Sequence, residues 1–173
     1  ASFFGGPPPS APLIEALGGM PFTVRVRPDL FARADAERLA AAGCVSVELD
    51  ALTFRDDALR AVGRRYRGGL VEEILRSLPS YGLAAGIVLA PGLPRSSHEL
   101  SVADAERAAP LVRTARIHPV LVLQGSGLQR VHMDALYEPL TVGQAVTTCR
   151  AMMDVFDDHG VEVVRVGQNP SAD

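Results

Sequence analysis

Apolar runs of strand length alternate with helix-patterned stretches along the whole chain, and that alternation leaves few folds open. The sequence predicts strands over 22–26, 44–49, 83–90, 115–123 and 161–166, plus an opening one at Ser2-Phe3-Phe4 that runs into Gly5-Gly6. Between them lie an alanine-rich helix over 34–42 closed by Gly43, a helix over 71–78 ending before Gly82, and a helix over 101–109 stopped by Pro110. For the last of these, Ser101 reads as the N-cap and Asp104 as the acidic N3 partner of a capping box. A helix near 128–136 follows, then a long amphipathic one over 142–158 that uses Val142, Ala145, Val146, Cys149, Met152, Met153 and Phe156 and is capped by Gly160. Most of the six strands read as near-continuous apolar runs, so the expected class is α/β with a parallel sheet covered by crossover helices. Periodicity alone does not choose between an open doubly wound sheet and a barrel.

At 173 residues and 47% hydrophobic the chain has the size and composition of one domain with a substantial core. Seventeen Lys and Arg against 20 Asp and Glu give a net charge of −3, with no basic tract longer than Arg64-Arg65-Tyr66-Arg67. That balance argues against nucleic acid as a partner of this segment, because phosphate binding needs concentrated positive charge. No apolar run approaches a membrane span and no signal-peptide pattern is present, so the expected compartment is the cytoplasm. Cys44 and Cys149 are the only cysteines and lie on apolar stretches, which reads as two buried free thiols; no metal site is expected.

Seven short motifs then fall in order: Phe3-Phe4-Gly5-Gly6, Arg27-Pro28-Asp29, Ser46-Val47-Glu48-Leu49, Pro91-Gly92-Leu93-Pro94, Arg116-Ile117-His118-Pro119, Tyr137-Glu138-Pro139-Leu140-Thr141 and Val164-Arg165-Val166-Gly167. Together they resemble the elongator-catalytic-subunit-like branch of the radical S-adenosylmethionine proteins, a superfamily that includes the oxygen-independent coproporphyrinogen oxidases. The resemblance implies a partial (β/α) TIM-like barrel lacking its first β/α unit. Residues 1–173 would form one such domain, with 1–124 as the remaining barrel core and 125–173 as an extension. In that family a loop after the first strand carries C-x3-C-x2-C, which holds a 4Fe-4S cluster. The cluster in turn binds and cleaves S-adenosylmethionine. The motif does not occur in these 173 residues, so radical catalysis is not expected of them, and a cluster is expected only in a longer parent.

The resemblance also implies cofactor contacts, position by position. Gly5 and Gly6 match the double glycine that receives the methionine amino group. Glu48 matches the acidic residue of the family's V-E-L-G-V-Q-S stretch. Asp50, Ala51 and Leu52 then replace Gly, Val and Gln, and Leu52 offers no side-chain hydrogen bond. Arg64, with Arg65 as its neighbour and rival, stands where an arginine faces the cofactor carboxylate or ribose. Pro91 and Gly92 belong to the turn beside the adenine. Three prolines, Pro7-Pro8-Pro9, follow the double glycine where the family has Ser or Thr and then Phe. S-adenosylmethionine binding is therefore expected to be weak.

Arg27, at the end of a strand, is a candidate contact for a substrate or anion, with Asp29 as its salt-bridge partner or a cap. His118 reads first as a buried, hydrogen-bonded imidazole, and the family marks it as barrel-lining. Arg165 either reaches the barrel mouth or pairs with an acidic neighbour, and His118 and Arg165 join Arg27 as candidate contacts for a substrate or anion. His98, His132 and His159 have no metal-ligand spacing.

Three functional expectations follow: a fragment of a radical S-adenosylmethionine enzyme, favoured by the start at Ala1; a degenerate, non-catalytic binding module, favoured by the changes at Pro7 to Pro9, Asp50 and Leu52; or an unrelated small α/β enzyme that uses Glu48 and Arg27 on a small metabolite. An open sheet edge at the first strand is expected to allow a homodimer.

Overall fold

Six parallel strands lie side by side in chain order, each joined to the next through a helical crossover, in the computed structural model, which describes residues 2–167. They are β1 (Ser2–Gly6), β2 (Phe22–Val26), β3 (Cys44–Leu52), β4 (Ala84–Leu89), β5 (Thr114–Ile117) and β6 (Glu162–Val166). A doubly wound sheet reverses its strand order at a switch point, whereas a sheet that winds in one direction without reversal is the arrangement of a barrel. The order β1 to β6 is unreversed and the sheet is not closed, so the architecture is an open, partial barrel.

The crossovers carry α1 (Ala11–Glu15), α2 (Arg33–Ala41), α3 (Asp56–Ala61), α4 (Gly68–Ser77), α5 (His98–Ala108), α6 (Gly127–Met133) and α7 (Val142–Asp158). One face of the sheet is apolar at alternate positions: Val24 and Val26, Val47 and Leu49, Ala85, Ile87 and Leu89, Ala115 and Ile117. These pack with Leu39 of α2, Leu75 of α4, and Met152 and Phe156 of α7 into one core. Leu39, Leu75 and Phe156 are fully buried, and truncating any one to Ala costs on the order of 2–5 kcal/mol.

The opposite, concave face is polar. Thr23 and Arg25 on β2, Ser46, Glu48 and Asp50 on β3, and Thr114 and Arg116 on β5 alternate with the core residues. Near-continuous apolar character therefore belongs to β4 (Ala-Ala-Gly-Ile-Val-Leu), while β2, β3 and β5 alternate because their inner positions line the barrel interior.

Two sequence expectations are corrected. The helix expected over 101–109 starts at His98: Ser97 is the N-cap and its Oγ accepts the Leu100 N–H at 3.2 Å. Asp104 is no capping partner, because its buried carboxylate accepts the Thr53 hydroxyl and, at 3.1 Å, the Phe54 N–H, tying α5 to the loop after β3. The strand expected over 115–123 ends at Ile117. Pro119 has no N–H to give to a ladder, and the Val120 N–H bonds the Pro91 carbonyl at 3.0 Å, which leaves Leu121 and Leu123 exposed. Cys44 and Cys149 are buried free thiols, as read from the sequence.

Candidate functional site

Glu48 is the hub of the concave face. Its carboxylate accepts the Arg116 Nε–H, with Oε1 at 2.7 Å and Oε2 at 2.9 Å, and Oε2 also accepts the Arg25 Nε–H at 3.3 Å. Arg25 is its register partner on β2, but Arg116 is two strands away, and the side chain reaches it by crossing β4 at Gly86. A Cβ at Gly86 would stand 2.8 Å from Glu48 Cγ and 2.6 Å from Thr114 Oγ1, so the missing side chain is what opens the route. The side chain of Glu48 is 5% exposed, and a carboxylate that buried is tolerable because two guanidinium groups hold it. Both of its oxygens are committed to guanidinium groups, which leaves none free to take a proton from a substrate.

The strands' C-terminal ends gather the other candidates on one rim. The Gly6 carbonyl accepts the Arg27 N–H at 3.1 Å, which fixes the end of β1 to β2. Arg27 pairs with Asp29 through two hydrogen bonds of 2.6 and 3.0 Å, so the salt-bridge reading holds. On β3, Asp50 faces Arg64, whose Nη2 is 3.4 Å from Oδ2; Arg65 is exposed. Tyr66 holds the Arg64 loop in place by donating to the Ala51 carbonyl at 2.9 Å, and burial pushes its phenol well above its ordinary range. Leu52, which stands where a Gln is expected, is left-handed at φ 66°, and its carbonyl accepts the Ala90 N–H. A branched residue in that region is strained, so the backbone at the end of β3 is held by its surroundings.

Past β4, Gly92 lies at φ 89° and its carbonyl accepts the Tyr137 hydroxyl at 2.6 Å. Pro91, Gly92, Leu93 and Pro94 thus form a turn clasped by the segment around Tyr137 and Leu140, beside a cavity of about 610 Å³. A Cβ at Gly92 would meet Leu140 at 3.0 Å, so that position is glycine for contact as well as conformation.

Across the rim, His118 is partly buried, and its Nε2 has no hydrogen-bond partner. That corrects the expectation of a hydrogen-bonded imidazole. Burial, with Arg25 and Arg116 behind it, pushes the His118 pKa down. Arg165 on β6 is the register partner of Arg116; its Nε is buried and also without a partner.

The structure therefore brings Gly5, Gly6, Arg27, Glu48, Arg64, Pro91, Gly92, His118 and Arg165 to one face or rim of the sheet. Arg25 lies outside the motifs, and Arg116 and Asp50, though within the matched stretches, are not marked by them as site residues. Their signal in the sequence is charged residues two apart in apolar runs, namely Arg25 and Arg27, Glu48 and Asp50, Arg116 and His118.

Comparison with known proteins agrees with this architecture. No family model matches the chain. A tRNA uridine(34) acetyltransferase of Dehalococcoides mccartyi (strain CBDB1) is 29% identical over 124 residues, which are 69% of this chain and 27% of that protein. Among solved structures, the archaeal Methanocaldococcus infernus Elp3 with an N-terminal deletion superposes with a TM-score of 0.78 at 19% identity, over 86% of this chain and 36% of that one. Coproporphyrinogen III oxidase HemN of Escherichia coli, a radical SAM enzyme, gives 0.70 at 15% identity, over 87% and 36%. The fold is that of the radical S-adenosylmethionine barrel, open at its edges. Within it, the likeness runs to Elp3-type proteins in both sequence and structure, as the seven motifs imply. The chain spans about a quarter of the length of the curated relative it matches, 27%.

The residues present do not fit a 4Fe-4S cluster. Among the described residues no three His, Cys, Asp or Glu side chains converge, and the two cysteines are buried on β3 and α7. They fit S-adenosylmethionine in part. Arg64 holds Asp50 at only 3.4 Å and has donors to spare, and the Pro91–Gly92 turn flanks an open cavity, while Leu52 supplies nothing.

Proposed function

We propose that these residues form the nucleoside-binding part of a radical S-adenosylmethionine-type barrel and have no radical chemistry of their own. What carries the reading is the unreversed parallel sheet, in which Arg64 is held to Asp50 of β3 while the Pro91–Gly92 turn follows β4, the neighbouring strand. In it, Arg64 takes the carboxylate or ribose of S-adenosylmethionine, Pro91 and Gly92 flank the adenine, and the backbone of Gly5 and Gly6 receives the amino group. Any cluster that cleaves the cofactor would be tethered by thiolates outside these residues. Without that metal anchor, S-adenosylmethionine binds weakly.

Titration calorimetry tests this. Dissociation constants above about 100 μM, weakened further by Arg64→Ala, support the reading. Micromolar binding abolished by Arg64→Ala would show instead that the site needs no cluster, and binding indifferent to Arg64→Ala would remove the assigned contact. The reading of Glu48 and Arg27 as acid–base or anion-binding groups of a small metabolite enzyme is not retained, since both are held in ion pairs. β1 is an outer strand of the described sheet, and pairing of a second copy along it remains part of the proposal. A strictly monomeric mass by light scattering at high concentration removes that part.

A further inference from the structure

The concave face carries more positive charge than its own carboxylates balance, and the excess sits at one place. Arg27 has Asp29, Arg64 has Asp50, and Arg25 and Arg116 share Glu48. Arg165 faces this same cluster with no carboxylate within salt-bridge distance among the described residues. As the register partner of Arg116 it lies one strand spacing away, ~4.8 Å. Like charges directly opposite on neighbouring strands are destabilising. His118, two residues beyond Arg116 on the same face, has a partnerless Nε2, and Arg165 has a partnerless buried Nε. Buried polar atoms are normally satisfied, so two orphans at the ends of neighbouring strands, in a field of guanidinium groups, mark where something with acceptor oxygens is missing.

We propose that Arg165 and His118, backed by Arg116, form a binding subsite for the carboxylate or phosphate monoester group of a small acid. The Nε–H of Arg165 and the imidazole Nε2–H each donate to one oxygen, and the anion's charge relieves the repulsion between Arg116 and Arg165. This subsite uses strands β5 and β6 and shares no residue with the assigned nucleoside contacts, so it does not rest on that reading.

The imidazole of His118 reports on the site directly. In 15N-labelled protein, with its resonance assigned through His118→Gln, titration with inorganic phosphate or succinate should shift the His118 ring nitrogens saturably and raise the depressed His118 pKa. Arg165→Gln should weaken the response about tenfold or more while leaving the thermal midpoint intact. Arg64→Ala should leave the response in place, which separates this result from the S-adenosylmethionine one. A His118 signal that ignores both anions, or a response unchanged in folded Arg165→Gln, overturns the proposal. A response to dimethyl phosphate at least as strong as that to inorganic phosphate overturns the assignment to small acids and points to a phosphodiester.

Discussion

The two halves of the concave face are built from the same residue types and reach opposite electrostatic outcomes. Over β2 to β4 every guanidinium has a carboxylate in reach, and Glu48 serves two at once by crossing Gly86. Over β5 and β6, Arg165 and His118 keep buried nitrogen atoms without partners. The first half is a closed network that holds strands together. The second is an open one, and an ordered protein keeps such a charge imbalance where a ligand completes it.

The largest test of that contrast is Glu48→Gln. It removes the one negative charge between Arg25 and Arg116 and leaves both guanidinium groups facing each other, at a cost of about 3 kcal/mol measured by urea unfolding. A loss below about 1 kcal/mol would mean that the paired half is not structural. Next is Gly86→Ala, whose new methyl meets Glu48 Cγ and Thr114 Oγ1 inside 3 Å and forces the bridge aside, for about 1–3 kcal/mol in the same measurement. If the bridge is the cause, Gly86→Ala adds little to Glu48→Gln when the two are combined.

Arg165→Gln should behave in the opposite way. Removing the unpaired charge leaves stability unchanged or raises it, by less than about 1 kcal/mol at low salt, and added salt erases the gain. A clear loss would reveal a structural role. The smallest effect is in pH. The His118 pKa is depressed in the folded chain by burial and by its arginine neighbours, so below the ordinary value of 6.5 the unfolded chain binds the proton more readily. Its contribution is fully present above 6.5 and is lost as the pH falls from there through the lower folded value. Stability should therefore drop in that window, and His118→Gln should flatten that part of the curve.

Much of this fold was legible because crossover helices and strands carry different periods. The bounds of β2 and α7 match the sequence reading residue for residue, since Pro28 and the turn from Thr141 punctuate them. The reading failed where a local signal had two users. Ser97 and Ser101 both make acceptable caps, and what decided between them is that Asp104 is needed by Thr53 and Phe54, some fifty residues earlier. The apolar run at Val120 to Leu123 has strand composition, yet Pro119 and the bond from Val120 to Pro91 take it out of the sheet. The candidate site was legible as positions through the seven motifs. The partners of those positions were not: Glu48 stood out as one acidic residue at a strand end, with no sign that two arginines 23 positions before it and 68 after it would claim it.

By itself the sequence determined the class of the fold, a parallel α/β sheet, because strand-length apolar runs alternate with helix-patterned stretches along the whole chain and each signal is local. It also determined which residues lack the means for cluster binding, since two distant cysteines cannot supply three thiolates. Only the tertiary structure decided the unreversed strand order, the crossing of Glu48 over Gly86, and the imbalance left at Arg165 and His118. Those depend on register between strands far apart in the chain, and register is set by the packing of the whole sheet rather than by any one segment.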